Sequence, residues 1–378
     1  MWTQLRSRRR LSFAVAALLI FIPCLSAAAN SASEFQPPGG IPSEIWSYFI
    51  PRDNPLTAAK VDLGRQLFFD PRLSADGSVS CASCHDPHLG FADGRRVAVG
   101  IGGRLGSRNT PTLLNAMFNS TLFWDGRSHS LEAQALEPLV NADEMGNTSH
   151  DQVVNRLNAI PEYSRQFNAV FGSHVSIDLL GKAIASYERT LASANAPYDR
   201  FLAGNRNALN DAAQRGLTLF RGRARCSVCH SLNSSFPFLS DGNYRNTGVA
   251  GNFSTFDSLA RRAIVLSNSS DDGDLRALNG SQGKSELGRF LVTRNAIDVG
   301  SFRTPMLRNV ELTAPYFHDG SAATLADVVR YYARGGNENA GKDWELQSVN
   351  LSELDQLDLI EFLKSLTSDE ARKTAGKP

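Results

Sequence analysis

The chain has 378 residues, of which 42% are hydrophobic and 20% charged, with 39 Lys and Arg against 38 Asp and Glu. This near balance argues against a nucleic-acid-binding protein, because such proteins carry a strong basic excess. The length suits two domains of ordinary size.

The amino terminus has the pattern of an export signal. Four arginines among residues 6–10 precede an apolar run, Leu11 to Ile22, and small residues at 27–29 offer a cleavage site. The run is too short to span a membrane, so no span is expected in the mature chain. We therefore predict a signal peptide over residues 1–29, a periplasmic location, and a mobile leader over residues 30–42.

The first helix is expected over Thr57 to Phe69, and a second over Asp211 to Phe220 repeats its Gly-x-x-Leu-Phe ending. Each copy lies shortly before a Cys-x-x-Cys-His motif, the sequence that attaches haem c, so the repeat indicates two cytochrome c-like units fused head to tail. We predict a mainly α fold with few strands. Its parts are an N-terminal haem domain (43–203), a C-terminal haem domain (204–368) and a charged tail (369–378).

Periodicity and capping residues predict further helices. They are expected from near Ser130, from the Ser149-x-x-Gln152 capping box, over Pro161–Phe171, from Ser176 to about Ser193, over Thr324–Ala333 and over Ser352–Leu366. In the last helix, Leu354, Leu357, Phe362 and Leu366 are expected to form a buried stripe. Residues 231–300 are rich in Ser, Asn, Gly and Asp, which predicts long loops.

The cysteines give the sharpest chemical signal. Apart from Cys24 in the predicted signal, all of them lie in two Cys-x-x-Cys-His motifs. In such motifs the thiols bond covalently to haem c and the histidine binds the iron. A four-thiolate zinc site or two short disulfides would use the same cysteines but leave the histidines unexplained. We therefore predict two covalent haem c groups, attached through Cys81, Cys84 and His85 and through Cys226, Cys229 and His230.

Further motifs occur in the same order in both halves. They are Arg108-Asn109-Thr110-Pro111, Phe123-Trp124-Asp125-Gly126-Arg127, Asp143-Glu144-Met145-Gly146, Phe302-Arg303-Thr304-Pro305 and Tyr316-Phe317-His318-Asp319-Gly320. Over about residues 43–366 this set resembles the bacterial dihaem cytochrome c peroxidases and the related methylamine utilisation protein MauG. The resemblance implies an oxidoreductase with a peroxide-reacting haem on His85 and an electron-transferring haem on His230.

For the first haem, the resemblance assigns Glu144 as the proton shuttle in peroxide cleavage, with Gln134 and Pro138 lining the same pocket. Where many relatives place a blocking histidine, this chain has Ile101, which cannot ligate iron, so an open haem face is expected. Without the resemblance, Glu144 equally fits a solvated loop acid and Gln134 a helix-surface amide. His88 is expected to have a surface or structural role rather than to bind iron.

For the second haem, the resemblance places Tyr332 where dihaem peroxidases have a methionine ligand and MauG-like proteins a tyrosine. The alternative is that Tyr332 is only an interfacial aromatic residue. Met306 is expected to pack in the core. The resemblance also implies an electron relay at Trp124 between the haems, and a calcium ion near Asn109, Thr313 and Pro315, whose oxygen atoms suit that cation.

Three functions remain open from the sequence. The first is a periplasmic peroxidase that takes electrons from a small cytochrome c or a copper protein. The second, favoured by Ile101 and Tyr332, is a MauG-like oxidase that uses hydrogen peroxide to modify side chains of a partner protein. The third is a dihaem electron carrier, which would need protein ligands on both faces of each iron. The resemblance also suggests a homodimer.

Overall fold

Helices dominate the chain, and the only strands in the described residues are two short ones. The computed structural model describes residues 35–233, 235–267, 278, 281 and 283–376. The predicted signal peptide, residues 30–34 of the leader and residues 377–378 lie outside this part. No helix in the described part is long and apolar enough to cross a membrane.

The helices are numbered here in chain order. They are α1 Ser43–Tyr48, α2 Ala58–Phe68, α3 Leu131–Val140, α4 His150–Asn158, α5 Pro161–Phe171, α6 Ile177–Arg189, α7 Pro197–Leu202, α8 Asp211–Arg221, α9 Phe256–Ser267, α10 Phe290–Thr293, α11 Leu325–Ala333, α12 Glu353–Lys364 and α13 Asp369–Ala375. The strands β1 (Tyr244–Arg245) and β2 (Phe302–Arg303) pair antiparallel, with Tyr244 opposite Arg303. The mainly α class with few strands is therefore confirmed.

Most helix starts follow from capping chemistry. The hydroxyl of the residue before the helix accepts a hydrogen bond from the third helical N–H, which satisfies one of the unpaired donors at a helix start. This bond caps α2, α3, α4, α6, α11 and α12 through Thr57, Ser130, Ser149, Ser176, Thr324 and Ser352. The predicted starts of these six helices are confirmed, as is the end of α5 at Gly172.

Two predicted stretches were wrong. Helix α6 ends at Arg189, not near Ser193, because Asn115 captures the following chain: its backbone N–H donates to Leu191 and its side-chain amide bonds both backbone groups of Ser193. The supposed loop region 231–300 contains the helix α9, which buries Phe256, Leu259, Ala260 and Ala263 in a local apolar cluster.

The predicted stripe on α12 was half wrong. Leu354 and Leu357 are 60% and 59% exposed, whereas Phe362 and Leu366 are buried. The buried face runs through Asp358 and Leu359 instead, and the Asp358 carboxylate accepts two hydrogen bonds from Arg215 on α8. A salt-bridged acid thus occupies a position that a purely apolar pattern does not predict.

The sequence repeat corresponds to a repeated helix contact. Gly64 on α2 lies so close to α6 that an added Cβ would overlap the carbonyl oxygen of Ala183, and Gly216 on α8 stands in the same relation to Asp358 on α12. In each half, glycine thus lets the helix before the Cys-x-x-Cys-His motif cross a later helix closely.

Substituting Gly216 with alanine is expected to lower the free energy of unfolding by about 1–3 kcal/mol, because the added methyl group forces the two helices apart. Urea unfolding measures the change. Gly39→Ala is the control, since an added Cβ there meets no atom within 4 Å. Equal stabilities of the two variants would contradict the close crossing.

The apolar cores follow the two halves. One core joins α2 with α4, α5 and α6, and a second joins α8 with α11 and α12. A third cluster contains residues from both halves, where the Phe118 and Phe238 rings stack with centroids 4.2 Å apart. In the described part of the predicted leader, Ile41 is buried in this third cluster and Phe35 packs against it. The charged segment after Ser368 forms α13.

Candidate active site: two histidine sites with a shared interface

The two Cys-x-x-Cys-His motifs have the same local structure. Each begins with a single 3-10 turn, Cys81–Ser83 or Cys226–Val228. The backbone N–H of each histidine donates to the carbonyl of the first cysteine, at 2.9 Å for His85 and 3.0 Å for His230. The turn therefore brings two thiols and one imidazole together within five residues.

Each histidine ring is held by a backbone carbonyl. Nδ1 of His85 lies 3.0 Å from the carbonyl oxygen of Phe91, and Nδ1 of His230 lies 2.8 Å from that of Leu239. Because a carbonyl only accepts, Nδ1 carries the proton, and Nε2 is left as the metal-binding nitrogen. Burial lowers the pKa of both histidines, which favours the neutral imidazole that an iron ion needs.

The four motif cysteines are not joined by disulfide bonds, so the structure does not contain the two short disulfides considered from the sequence. Burial raises the pKa of Cys81 to about 12 and that of Cys84 to about 11. The described residues contain no group of three or more His, Cys, Asp or Glu side chains that could hold a metal ion. The cysteines are thus not gathered as a four-thiolate zinc site requires.

Near His85, the loop with Ile101 packs against the loop with Glu144. The N–H of Ile101 donates to the carbonyl oxygen of Glu144 at 2.8 Å, and a Cβ on Gly146 would lie 3.0 Å from the Ile101 side chain. The Cys84 sulfur lies 3.9 Å from the carbonyl oxygen of Val99. The structure therefore brings together Ile101, Glu144 and the first motif.

The Glu144 carboxyl is held in a mostly buried position. Burial raises its pKa, and the carboxylate of Glu137 adds to that shift, whereas the Arg127 guanidinium and a 2.9 Å hydrogen bond from the Asn141 side chain oppose it. This environment, which contains both hydrogen-bond donors and neighbouring acids, suits a group that must both take up and release a proton.

Helix α3 supports the Glu144 loop. The carbonyl oxygen of Pro138 accepts hydrogen bonds from the N–H groups of Asn141 and Met145, on either side of Glu144. Gln134 lies one turn earlier on α3 and is half-buried. Pro138 thus fixes the loop through its backbone, whereas the role of the Gln134 side chain stays a prediction.

A cavity contains the second motif. Among its lining residues are Cys226, Cys229, His230, Tyr332 and Met306. Tyr332 lies on the cavity side of α11, whereas the hydroxyl of the neighbouring Tyr331 donates to the backbone carbonyl of Thr247 at 2.9 Å. Burial raises the pKa of Tyr332, so a phenolate there needs a nearby cation such as an iron ion. Met306 lines the same cavity and also packs against the cluster around Phe118.

Two equivalent backbone hydrogen bonds connect the two halves. The N–H of Asn109 donates to the carbonyl oxygen of His318, and the N–H of Arg303 donates to that of Trp124, both at 2.8 Å. Asn109 and Arg303 each precede a Thr-Pro pair, and Trp124 and His318 each follow a phenylalanine with positive φ, so the bonds are related by the sequence repeat. The Trp124 and His318 rings meet edge to face at this interface, 6.4 Å apart.

A buried contact between a histidine and a carboxyl group beside Trp124 was not recognised in the sequence. Nε2 of His318 lies 2.8 Å from a carboxylate oxygen of Glu286, and the two side chains are 4% and 0% exposed. The Phe302 ring stacks on the His318 imidazole with centroids 3.5 Å apart. The Tyr-Phe-His-Asp-Gly motif marked His318, but no local signal identified Glu286, because it lies 32 residues away.

The three predicted calcium ligands line the cavity together with Trp124. The side-chain amide of Asn109 donates to the Arg95 carbonyl, and its own carbonyl accepts from the Trp124 indole, each at 2.8 Å. Within the described residues, no donor reaches the side-chain oxygen of Asn109 or the carbonyl oxygens of Thr313 and Pro315. These three oxygens are therefore free to bind a hard cation.

The residues of the second site fit a haem. Two thiols and a histidine with a free Nε2 are accompanied by apolar side chains of Phe220, Leu325, Val329 and Leu363. In addition, Nε of Arg303 is buried without a hydrogen-bond partner. An apolar cavity with one unpaired cation suits an apolar macrocycle that carries carboxylate groups.

Glu188 near Cys81 is a buried acid that no motif indicated. It is 4% exposed, and one of its carboxylate oxygens has no hydrogen-bond partner. Burial raises its pKa from 4.5 to about 8. The unfolded chain therefore releases this proton at a lower pH than the folded protein does. As a result, the contribution of Glu188 to the free energy of unfolding is fully present below pH 4.5 and is lost as the pH rises towards 8.

Glu188→Gln is expected to stabilise the protein relative to wild type at pH 8 but not at pH 4.5. The difference should grow by up to about 1.4 kcal/mol for each pH unit between these limits. Urea unfolding at several pH values measures it, with the exposed Glu353→Gln as the control. A pH-independent difference would show that Glu188 is ionised in the folded protein.

Comparisons with known proteins agree with this geometry. Residues 58–207 match the family model for di-haem cytochrome c peroxidase. The chain is 37% identical to cytochrome-c peroxidase IdrP1 of a Pseudomonas species, over 97% of this chain and 94% of that protein. It is 38% identical to the methylamine utilization protein MauG of Methylorubrum extorquens, over 86% of this chain and 82% of that protein.

A solved structure extends the likeness to the fold. The crystal structure of a MauG-like protein associated with microbial copper homeostasis shares 33% of its sequence with this chain, with a TM-score of 0.70. The match covers 85% of this chain and 93% of that one. These likenesses place the chain in a class of mainly helical oxidoreductases whose members have two haem cofactors. The chain belongs to the di-haem cytochrome c peroxidase and MauG family, which confirms the resemblance drawn from the motifs.

Proposed function

We propose that the protein is exported to the periplasm, binds two covalent haem c groups, and reduces hydrogen peroxide to water. Electrons come from a small cytochrome c or copper protein and enter through the His230 site. The observation that carries this proposal is the contact of the Ile101 loop with the Glu144 loop beside the first motif. It combines a side chain that cannot ligate iron with a carboxyl group that can move a proton.

When bound at His85, a haem supplies the redox chemistry that cleaves the peroxide O–O bond. The protein's own part is proton transfer. The Glu144 carboxylate accepts the proton of the inner peroxide oxygen and returns it to the outer oxygen, which leaves as water. The Asn141 side chain orients the carboxylate, and the Pro138 carbonyl fixes the surrounding loop.

In the second site, His230 and Tyr332 would both bind the iron of a haem. The position of Tyr332 in the cavity supports this role, since it lines the same space as the motif. Trp124 is the proposed electron relay. Its indole N–H is anchored on the Asn109 carbonyl, so the ring is held at the interface of the two halves.

Calcium is proposed at the free oxygens of Asn109, Thr313 and Pro315. Because these are few protein ligands for an ion that takes six to eight, water would complete its coordination. An ion there would hold the Asn109 loop in place. The chemistry of this donor set, one amide oxygen and two carbonyl oxygens, is the support for this part of the proposal.

A MauG-like oxidase is the second candidate. In that function, electrons are withdrawn from side chains of a partner protein rather than delivered by a small donor. Two features favour it: Ile101 leaves the first site without a gating histidine, and Tyr332 is an anionic ligand that favours high oxidation states. Both candidates share the same residues and differ in the protein that docks.

Stopped-flow spectroscopy separates the candidates. The protein is mixed with hydrogen peroxide alone, and then with peroxide and reduced cytochrome c or reduced copper protein. Rapid oxidation of either donor over many turnovers supports the peroxidase. An oxidised state that persists for minutes beside both donors contradicts it and supports the MauG-like oxidase. No reaction with peroxide would leave only electron transfer.

A further inference from the structure

Arg303 is a buried cation without an anion. The residue is 9% exposed, and its guanidinium donates one hydrogen bond of 2.6 Å to the side-chain oxygen of Asn119. Its Nε has no partner. Across the described part of the chain, Arg303 takes part in no salt bridge.

Other arginines lining the same cavity are neutralised. Arg245 pairs with Asp241 and Asp343 at 2.9 and 2.8 Å, and Arg308 pairs with Asp199 at 2.6 Å. These contacts raise the pKa of Arg245, whereas burial lowers the pKa of Arg303 to about 10. A buried charge that lacks a partner is strongly destabilising, so this position requires an anion from outside the chain.

The second motif indicates which anion this is. Arg303 lines the cavity that also contains Cys226, Cys229 and His230, and a haem c bound through these residues carries two propionate carboxylates. We infer that Arg303 binds a propionate of the C-terminal haem through charge-assisted hydrogen bonds. This inference rests on the proposed haem at His230, but not on the reaction with peroxide.

The position of Arg303 gives this contact a second consequence. Asn119 belongs to the N-terminal half, and the backbone N–H of Arg303 donates to the carbonyl of Trp124 at 2.8 Å. The residue thus joins the proposed haem carboxylate to the segment that carries the proposed relay. By the sequence repeat, the position in the N-terminal half that corresponds to Arg303 is Asn109, the proposed calcium ligand. One half thus has a positively charged side chain at this position, and the other half has a side chain proposed to bind a cation.

The test uses the full-length protein isolated with its haems. Haem content per chain is measured first, for wild type and for Arg303→Gln. Spectroelectrochemical titration at pH 8 then gives the reduction potential of each haem, and resonance Raman spectroscopy gives the propionate bending mode. Arg303→Lys keeps the charge. Arg223→Gln removes an exposed arginine three residues before Cys226 that does not line the cavity, and it serves as the matched control.

We expect Arg303→Gln to keep both haems, since the thioether bonds are unchanged. Its C-terminal haem should have a lower potential, because loss of a nearby positive charge favours ferric iron, and a shifted propionate mode. Arg223→Gln should change neither the potential nor the propionate mode. Arg303→Lys should keep the potential close to that of wild type while shifting the propionate mode, since lysine lacks the planar fork. If Arg303→Gln does not fold, the Arg303→Lys spectrum decides.

Unchanged potential and propionate mode in Arg303→Gln with two haems bound would overturn the role of Arg303 alone, and an unchanged mode in Arg303→Lys would do the same. Wild-type protein that carries no haem at Cys226 and Cys229 would overturn the proposed haem site and, with it, this inference. The haem content therefore separates the two failures.

Discussion

Glu144→Gln should slow the reaction with hydrogen peroxide about 100- to 10,000-fold, the usual contribution of a positioned proton-transfer group, while both haems stay bound. Glutamine keeps the hydrogen bond to Asn141 but cannot accept the proton of the inner peroxide oxygen. Single-turnover stopped-flow absorbance gives the rate constant. Asp143→Asn is the matched control, since this exposed neighbour lies in the same loop and should leave the rate nearly unchanged.

The pH profile provides a second readout for Glu144. Since burial raises the pKa of this carboxyl, and since the ionised form accepts the proton, the wild-type rate constant should rise with pH and level off above the raised pKa. The rising limb should be absent in Glu144→Gln. Equal rates for wild type and Glu144→Gln, with the same pH profile, would remove the proton-transfer role.

Tyr332→Met should raise the reduction potential of the C-terminal haem by on the order of 100 mV, because the axial ligand sets the potential over a wide range. An anionic phenolate stabilises ferric iron, whereas a thioether favours ferrous iron. Spectroelectrochemical titration measures the change. Tyr331→Phe is the matched control. Tyr331 is the neighbour of Tyr332 on α11, but its hydroxyl donates to the backbone carbonyl of Thr247, so its loss should leave the reduction potential unchanged.

Met306 is the competing ligand in the same cavity. If Tyr332 binds the iron, Met306→Leu should leave both the potential and the ferric spectrum unchanged, since leucine fills a similar volume. A large change in Met306→Leu, together with an unchanged potential in Tyr332→Met, would show that the thioether is the ligand.

The parts of the fold that depend on local chemistry were predictable from the sequence. Capping residues such as Ser149 and Thr324 fix helix starts through bonds to groups three residues away. The end of α6 was not predictable, because Asn115 binds the chain after Arg189 from a distant segment. Helix α9 was missed because the surrounding polar composition outweighed its apolar face, which is buried within the cluster that includes Phe256 and Leu259.

In the site, too, features that depend on neighbouring residues were predictable, whereas contacts between distant segments were not. The Cys-x-x-Cys-His motifs are local and could be read directly, whereas the proximity of Ile101 to Glu144 depends on two loops about 40 residues apart. The two matching backbone hydrogen bonds between the halves could have been predicted, since Thr110-Pro111 and Thr304-Pro305 begin matching segments. Arg303 lay within a recognised motif, but only its burial without an acid shows that it requires a partner.

The central claim is that the protein binds the iron at His85 on one face only and the iron at His230 on both faces. Its most direct test is the low-temperature EPR spectrum of the fully ferric protein with two haems bound. An open site at His85 and a tyrosinate-capped site at His230 predict one high-spin and one low-spin signal of equal weight. Addition of a small anion such as azide should convert only the high-spin signal. Two low-spin signals that azide leaves unchanged would mean protein ligands on both faces of both irons, and would contradict a peroxide-reacting centre.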